Sequence, residues 1–248
     1  MSNIWSSSYK AIQICNQYLA EFQGLTFDEL KLNDDYRAQM FRYTNSFKEA
    51  RFLRAYFYFN LVRAYGDVPY FTEMVTTDQV NSLTRTPAQE IFNAIIAECD
   101  KLSTELPADY TKLGLDGIAP AENGRVTCYA ALALKARAAL YAASPLFNPE
   151  NNKDLWRRAA EANKEVIETC TANGFKLSKY SELWGPNNWS NNEMIFVRRY
   201  NGNISTLEEY NFPMGVPGGN SGNCPTQNMV DAYEMKATGK MWNETGSG

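Results

Sequence analysis

The chain contains no histidine. That removes the commonest general base and the commonest zinc ligand. It also excludes a Ser-His-Asp or Cys-His nucleophilic arrangement within the 248 residues. There is no CxxC pair. The five cysteines, Cys15, Cys99, Cys128, Cys170 and Cys224, are widely spaced, and an odd number cannot all pair within the chain. Four of them fall in helix-like segments, where cysteine acts as a small apolar residue, so cysteine usage does not decide the redox compartment. No long basic run is present, the net charge is −4 and the sequence pI is about 5.1. Nucleic acid and acidic lipid surfaces are therefore not expected partners. No apolar stretch reaches the roughly 18 residues of a membrane-spanning helix. The N-terminus, MSNIWSSSYK, lacks the basic-then-apolar order of a signal peptide, so the protein is either cytosolic or begins after its export signal. No GxxxxGK[ST] loop occurs, and Asp34-Asp35 lacks the alternation of a calcium loop. No metal and no cofactor are expected.

Apolar residues and aromatics are plentiful. With 44% apolar residues, a substantial core is possible. The fifteen tyrosines and five tryptophans suit a contact surface as well as a core. Asparagine is abundant between Asn187 and Asn228. Periodicity predicts a first helix over residues 4–22, with Ile12, Cys15, Leu19 and Phe22 near one face. A second is predicted over 46–65. Its Phe52, Tyr56 and Phe59 fall at core spacing, with Leu53, Phe57 and Leu61 in the adjoining stripe. Because its apolar residues cover most of the circumference, this helix should be sandwiched between neighbours. Gly66-Asp67-Val68-Pro69 should end it, with Asp67 capping or bonding within that turn. A third helix is predicted to start at Thr86-Pro87-Ala88-Gln89, with Thr86 as N-cap and Gln89 closing a capping box. Ile91, Ile95, Cys99 and Leu102 form its stripe, and it ends before Pro107. The alanine-rich segment 127–144 should let neighbouring backbones approach closely. A fifth helix begins near Asp154, carries Leu155, Ala159, Ala162 and Val166, and stops at Asn173-Gly174. Residues 66–85 and 107–124 read as long structureless connections. Beyond Gly174 the chain reads mainly as loop, with room for short strands in FKLSKYSELW and EMIFVRRY and a short helix at 227–235.

The expected fold is mainly α: a tetratricopeptide-like α/α helical stack with long loops and a mostly irregular C-terminal part. The scaffold is assigned to residues 1–174 and the irregular segment to 175–248. A clean repeat of roughly 34 residues is absent.

Four segments resemble the blocks of the SusD/RagB family. EARFLRAYFYFNLVRAYGDVPYF is similar to the family's signature helix and turn. GRVTCYAALALKARAALYAASPLFN is similar to the second block and PTQNMVDAYEM to the third. WSSSYKAIQICNQYL fits the helix preceding the first. The resemblance implies an outer-membrane lipoprotein of Bacteroidota-type bacteria, exposed on the cell surface. Such a protein binds glycans, sometimes peptides, and sits on a SusC-type TonB-dependent transporter for nutrient uptake in polysaccharide utilisation. It implies no catalysis. Family members are longer, so the chain is expected to be a fragment that lacks the lipidated cysteine and most of the C-terminal half.

Carbohydrate binding needs flat apolar faces and planar polar groups. Trp184-Gly185-Pro186-Asn187-Asn188-Trp189 offers both in a loop-like run. The candidate ligand-binding residues are Trp5, Trp184, Asn187, Asn188, Trp189 and Tyr200. The competing reading for Trp184 and Trp189 is that they anchor a long loop to the core; for Trp5 it is a core or staple residue. Two other functions stay open: a protein–protein scaffold of tetratricopeptide type without sugar binding, and a peptide-binding member of the family. A glycosidase would need two facing carboxylates; nothing in the spacing of Asp116, Glu122 and Glu193 selects them.

Overall fold

The computed structural model describes residues 4–116, 124–184, 191–198 and 210–246. Among these the secondary structure is helical. Helices are α1 (Ile4–Glu21), α2 (Tyr36–Tyr65), α3 (Thr77–Ser82), α4 (Ala88–Glu105), α5 (Cys128–Ala143), α6 (Lys153–Ala172) and α7 (Gln227–Asp231). Extended pairing among the described residues is limited to two isolated bridges, Val68 with Thr86 and Glu234 with Met241. The short strands expected after Gly174 do not form among the described residues. A 3₁₀ turn over Tyr180–Trp184 occupies part of that segment. The chain divides into two compact units, Met1–Arg198 and Arg199–Gly248.

In the first unit each long helix packs on the next: α1 on α2, α2 on α4, α4 on α5 and α5 on α6. This is the mainly α helical stack that the sequence pattern predicts. Ile12 and Cys15 of α1 face inward, while Phe22 remains 44% exposed. Helix α4 buries the stripe read from sequence, Ile91, Ile95, Cys99 and Leu102. Alanines of α5, among them Ala131, Ala138, Ala139 and Ala143, are buried; their small side chains allow contact with α4 on one side and α6 on the other. On α6, Ala159 and Ala162 are buried and Leu155 and Val166 half-buried. Gly174, at φ +87°, closes α6 as the Asn-Gly stop predicts. The Phe175 amide bonds back to the Cys170 carbonyl at 3.1 Å.

Helix α2 begins ten residues earlier than the periodicity suggests. Its added turns, YRAQMFRYTN, mix apolar and polar residues without the stripe that marks residues 46–65. They are held by contacts from outside the helix. The Tyr43 hydroxyl donates to the Phe22 carbonyl at 2.6 Å and accepts from the Leu25 amide at 3.0 Å. The Tyr18 and Ser46 hydroxyls share a hydrogen bond of 2.6 Å. Further along, Phe52, Tyr58, Phe59, Leu61 and Val62 are buried and Tyr56 and Phe57 half-buried. The aromatic run is the spine of the stack.

The turn after α2 differs from its sequence reading in one respect. Gly66 takes φ +69°, a region glycine enters without penalty. Asp67, however, does not cap its own turn. Its carboxylate accepts from the Ala88 amide at 2.8 Å and so caps α4 across space. Thr86 therefore does not start a capping box. Gln89 is drawn away to donate to the carbonyls of Ala142 and Phe147, both at 2.7 Å. The capping box of this region belongs to α3 instead, where Thr76 and Gln79 satisfy each other's backbone amides. The connection 66–85 thus contains a short helix that the sequence reading missed.

The second unit is held by local turns. Ser221 and Asn223 amides bond to the carbonyls of Phe212 and Tyr210 at 3.0 and 2.9 Å. Helix α7 is capped by Thr226 and stops at Asp231, four residues before the expected end.

Candidate functional site

Trp5 occupies the second position of α1 and is 37% exposed. Because α1 and α2 run antiparallel, the first turn of α1 meets the last turn of α2. There the indole packs edge-on against Tyr9, with centroids 4.9 Å apart at 63°, and against Tyr65, at 5.2 Å and 87°. Tyr9 stacks on Phe71 at 5.9 Å and 12°. Its hydroxyl donates to the Pro69 carbonyl at 2.8 Å. Burial pushes the Tyr9 phenol up, so it stays a donor at neutral pH. The result is a fixed aromatic corner in which Trp5 and Tyr65 stay partly exposed. Trp5 is neither a core residue nor a staple.

The second cluster of sequence candidates is placed only at its base. Trp184 ends the 3₁₀ turn Tyr180–Trp184. Asn187, Asn188, Trp189 and Tyr200 lie outside the described residues, as does Glu122. The two ends of the run converge. The Lys176 amide bonds to the Asn192 carbonyl at 3.3 Å. The Ser178 amide donates to the Glu193 carboxylate at 2.9 Å, and the Ser178 hydroxyl to the Asn191 side chain at 2.6 Å. Glu193 therefore serves this loop base. Phe196 returns to the helical stack, packing edge-on to Phe52 at 5.4 Å.

Two features escaped sequence reasoning. The first is a polar cleft of about 120 Å³ between α2 and α4, edged by Tyr70 and Thr72 of the post-α2 connection. Arg51 on its wall is bound by Glu98 and Glu105, both at 2.6 Å. Arg54 donates from one guanidinium nitrogen to the Asn16 side chain at 2.9 Å and the Thr72 carbonyl at 2.8 Å. Tyr58 forms the floor, its hydroxyl saturated by the Phe71 carbonyl and amide at 2.6 and 2.9 Å. Only helical spacing of Arg51 and Arg54 against Glu98 could have signalled this cleft, and the pairing of α2 with α4 is not written in either helix alone. The second feature lies in the other unit. Tyr210 sits against Gly222, where an added Cβ would come within 2.2 Å of the Tyr210 ring. Phe212 and Met214 follow it, 45% and 78% exposed, beside a hydrogen bond of 3.0 Å between the Asn223 and Asn211 side chains.

Among the described residues no group of His, Cys, Asp and Glu could hold a metal ion, and no helix is long and apolar enough to cross a membrane.

Residues 1–140 match a SusD-like family described as starch-binding and associating with the outer membrane. The chain belongs to the SusD-like family. Two SusD-like proteins of Formosa agariphila, P25 and P2, are 23% and 26% identical over 197 and 210 residues, which is 79% and 83% of this chain. The chain spans only about a third of their length, 31% and 35%. Among solved structures, a SusD-like protein of Bacteroides fragilis matches 96% of the chain and 42% of its own, with a TM-score of 0.69 and 26% identity. A laminarin-binding SusD-like protein matches 79% of the chain and 37% of its own, with a TM-score of 0.56 and 25% identity. The SusD-like fold of this chain accordingly agrees with the resemblance carried by its sequence blocks.

Proposed function

We propose that this SusD-like chain belongs to a cell-surface protein that captures an oligosaccharide or polysaccharide and delivers it to a SusC-type TonB-dependent transporter, without catalysis. The observation that carries the reading is membership of a family described as starch-binding and outer-membrane-associated. A relative of the same fold binds laminarin. The chain's chemistry agrees: a half-exposed indole held by two tyrosines is a stacking face for a sugar ring, since its orientation is fixed before ligand arrives. The missing histidine supports binding over turnover. The ligand contacts assigned are Trp5, Trp184, Asn187, Asn188, Trp189 and Tyr200. The surface location rests on a lipid anchor of the whole protein, and the scaffold region 1–174 supplies the face toward the transporter.

Calorimetric titration of the chain against a panel of polysaccharides and oligopeptides tests the reading. Replacing Trp184 and Trp189 together by Ala should lower glycan affinity at least tenfold and leave transporter co-purification unchanged. Binding only to peptides would move the protein to the peptide-binding branch of the family. Transporter or partner binding with no sugar binding would favour the pure helical scaffold.

A further inference from the structure

The cleft between α2 and α4 is lined by groups that the fold leaves partly unused. Arg54 spends one guanidinium nitrogen on two neutral oxygens, and an arginine carries five N–H donors. Among the described residues it forms no ion pair. Glu98 is engaged by Arg51 through one carboxylate oxygen, which leaves the other as an acceptor. Tyr70 packs its ring on Tyr58, centroids 4.6 Å apart, yet its hydroxyl has no protein partner among the described residues. All three line one cleft, and the Glu98 side chain is 22% exposed.

From this set we infer that the cleft is a sugar subsite, in which Arg54, Tyr70 and Glu98 bind a vicinal hydroxyl pair on one neutral sugar ring. The inference rests on the glycan-binding reading above. A hydroxyl both donates and accepts, so a pair of neighbouring hydroxyls is served by a wall that offers N–H donors, one carboxylate oxygen and one phenol. A small anion is served badly, because it meets Glu98 at close range. The volume, about 120 Å³, is well above the roughly 10–15 Å³ that one water needs and holds several waters but not a whole oligosaccharide. The open cleft therefore takes the edge of a ring and leaves the rest of the chain outside. Each water displaced must be replaced by a group that repeats its hydrogen bonds, which sugar hydroxyls do. Burial pushes the Tyr70 phenol up, so it remains protonated at neutral pH.

Two variants test the subsite. Tyr70→Phe removes one hydroxyl that no protein group uses, so its Tm should match wild type. Ala94→Leu fills the cleft from α4, where Ala94 lines it. Titrate all three proteins with cellohexaose and maltoheptaose, whose 1,4-linked rings each keep a free 2,3-hydroxyl pair, with and without sodium sulfate as competitor. Wild type should bind one glucan, Tyr70→Phe should lose about three- to tenfold in affinity, Ala94→Leu should lose more, and sulfate should not compete. Unchanged binding in both variants overturns the subsite and leaves the glycan reading intact. Competition by sulfate overturns it in favour of an anion site. A wild type that binds neither glucan nor any member of the polysaccharide panel removes the underlying reading, and the subsite with it.

Discussion

The two long connections of the helical stack are secured by opposite means. The first, following α2, is gripped by its backbone. Tyr58 takes the Phe71 amide and carbonyl, Arg54 the Thr72 carbonyl, Asn16 the Glu73 carbonyl and Tyr9 the Pro69 carbonyl. The second, between α4 and α5, is secured by its own side chains. Tyr110 and Arg125, from its two ends, converge on Glu49 of α2. The Tyr110 hydroxyl lies 2.8 Å from the Val126 carbonyl and 3.0 Å from the Glu49 carboxylate, two acceptors for its one proton, and Arg125 binds both carboxylate oxygens at 2.9 and 3.1 Å. Asn45, buried, donates to Glu49 and to the Tyr110 hydroxyl at 2.7 and 2.8 Å. A backbone grip tolerates many residues in the connection but depends on the helix residues that provide it. A side-chain grip depends on residues at both ends.

Substitutions can break this contrast. The largest effect is expected from Glu49→Ala. It removes the carboxylate that Arg125 binds through both oxygens and takes one acceptor from the buried Asn45, and it should cost about 3 kcal/mol in chemical unfolding, toward the lower end for a broken buried pair because Arg125 keeps 27% exposure. Tyr58→Phe comes next, at about 2 kcal/mol, since it strips two hydrogen bonds from the first connection. Its sharper readout is local: the Phe71 amide should exchange with solvent at least tenfold faster, while amides near Arg125 stay as they are. Asp67→Ala removes the cap on α4 and should cost about 1 kcal/mol. A Glu49→Ala variant that is as stable as wild type would mean the second connection is not held as described.

Alkaline pH tests both grips at once. Burial pushes the phenols of Tyr9, Tyr58 and Tyr110 up from 10.0, with the Glu49 charge adding to the effect at Tyr110. A raised folded-state value means that the folded chain holds protons the unfolded chain has released. Their contribution is therefore intact below about pH 9 and falls as pH rises beyond the unfolded tyrosine value near 10. Tyr58→Phe should flatten this decline in a Tm-versus-pH series between pH 9 and 11. The smallest effect concerns the thiols. Burial pushes Cys99 up to about 12, and Cys224 is exposed. At pH 8 a thiol reagent should modify Cys224 first in the native chain and reach Cys99 only on unfolding. Equal rates at the two would contradict the packing of α4 against α5.

The contrast also explains what the sequence could show. Helical cores were legible because burial repeats: Ile91, Ile95, Cys99 and Leu102 mark α4 by spacing alone. The first connection was illegible because the residues holding it, Tyr58 and Arg54, sit within a helix that already reads as core, and its own backbone carries no side-chain pattern. For the same reason the cap from Asp67 to Ala88 was missed, since its partner is set by tertiary packing; α3 did carry a local signal, the Thr76-x-x-Gln79 capping box, but it buries no residue and so shows no apolar stripe. In the candidate site, Trp5 was singled out by residue type, but Tyr65, against which it packs, lies sixty residues away. The Arg54–Tyr70–Glu98 cleft needed α2 and α4 to be placed side by side.

The central claim is glycan capture by this SusD-like chain. Titration of the chain with laminarin and soluble starch by calorimetry, beside the double Trp184→Ala/Trp189→Ala variant, tests it most directly. The account predicts saturable binding to at least one of the two polysaccharides and at least tenfold weaker binding by the variant. Undiminished binding by the variant would contradict the assigned contacts, and no binding of either polysaccharide or of any other glycan by the wild type would contradict the claim itself.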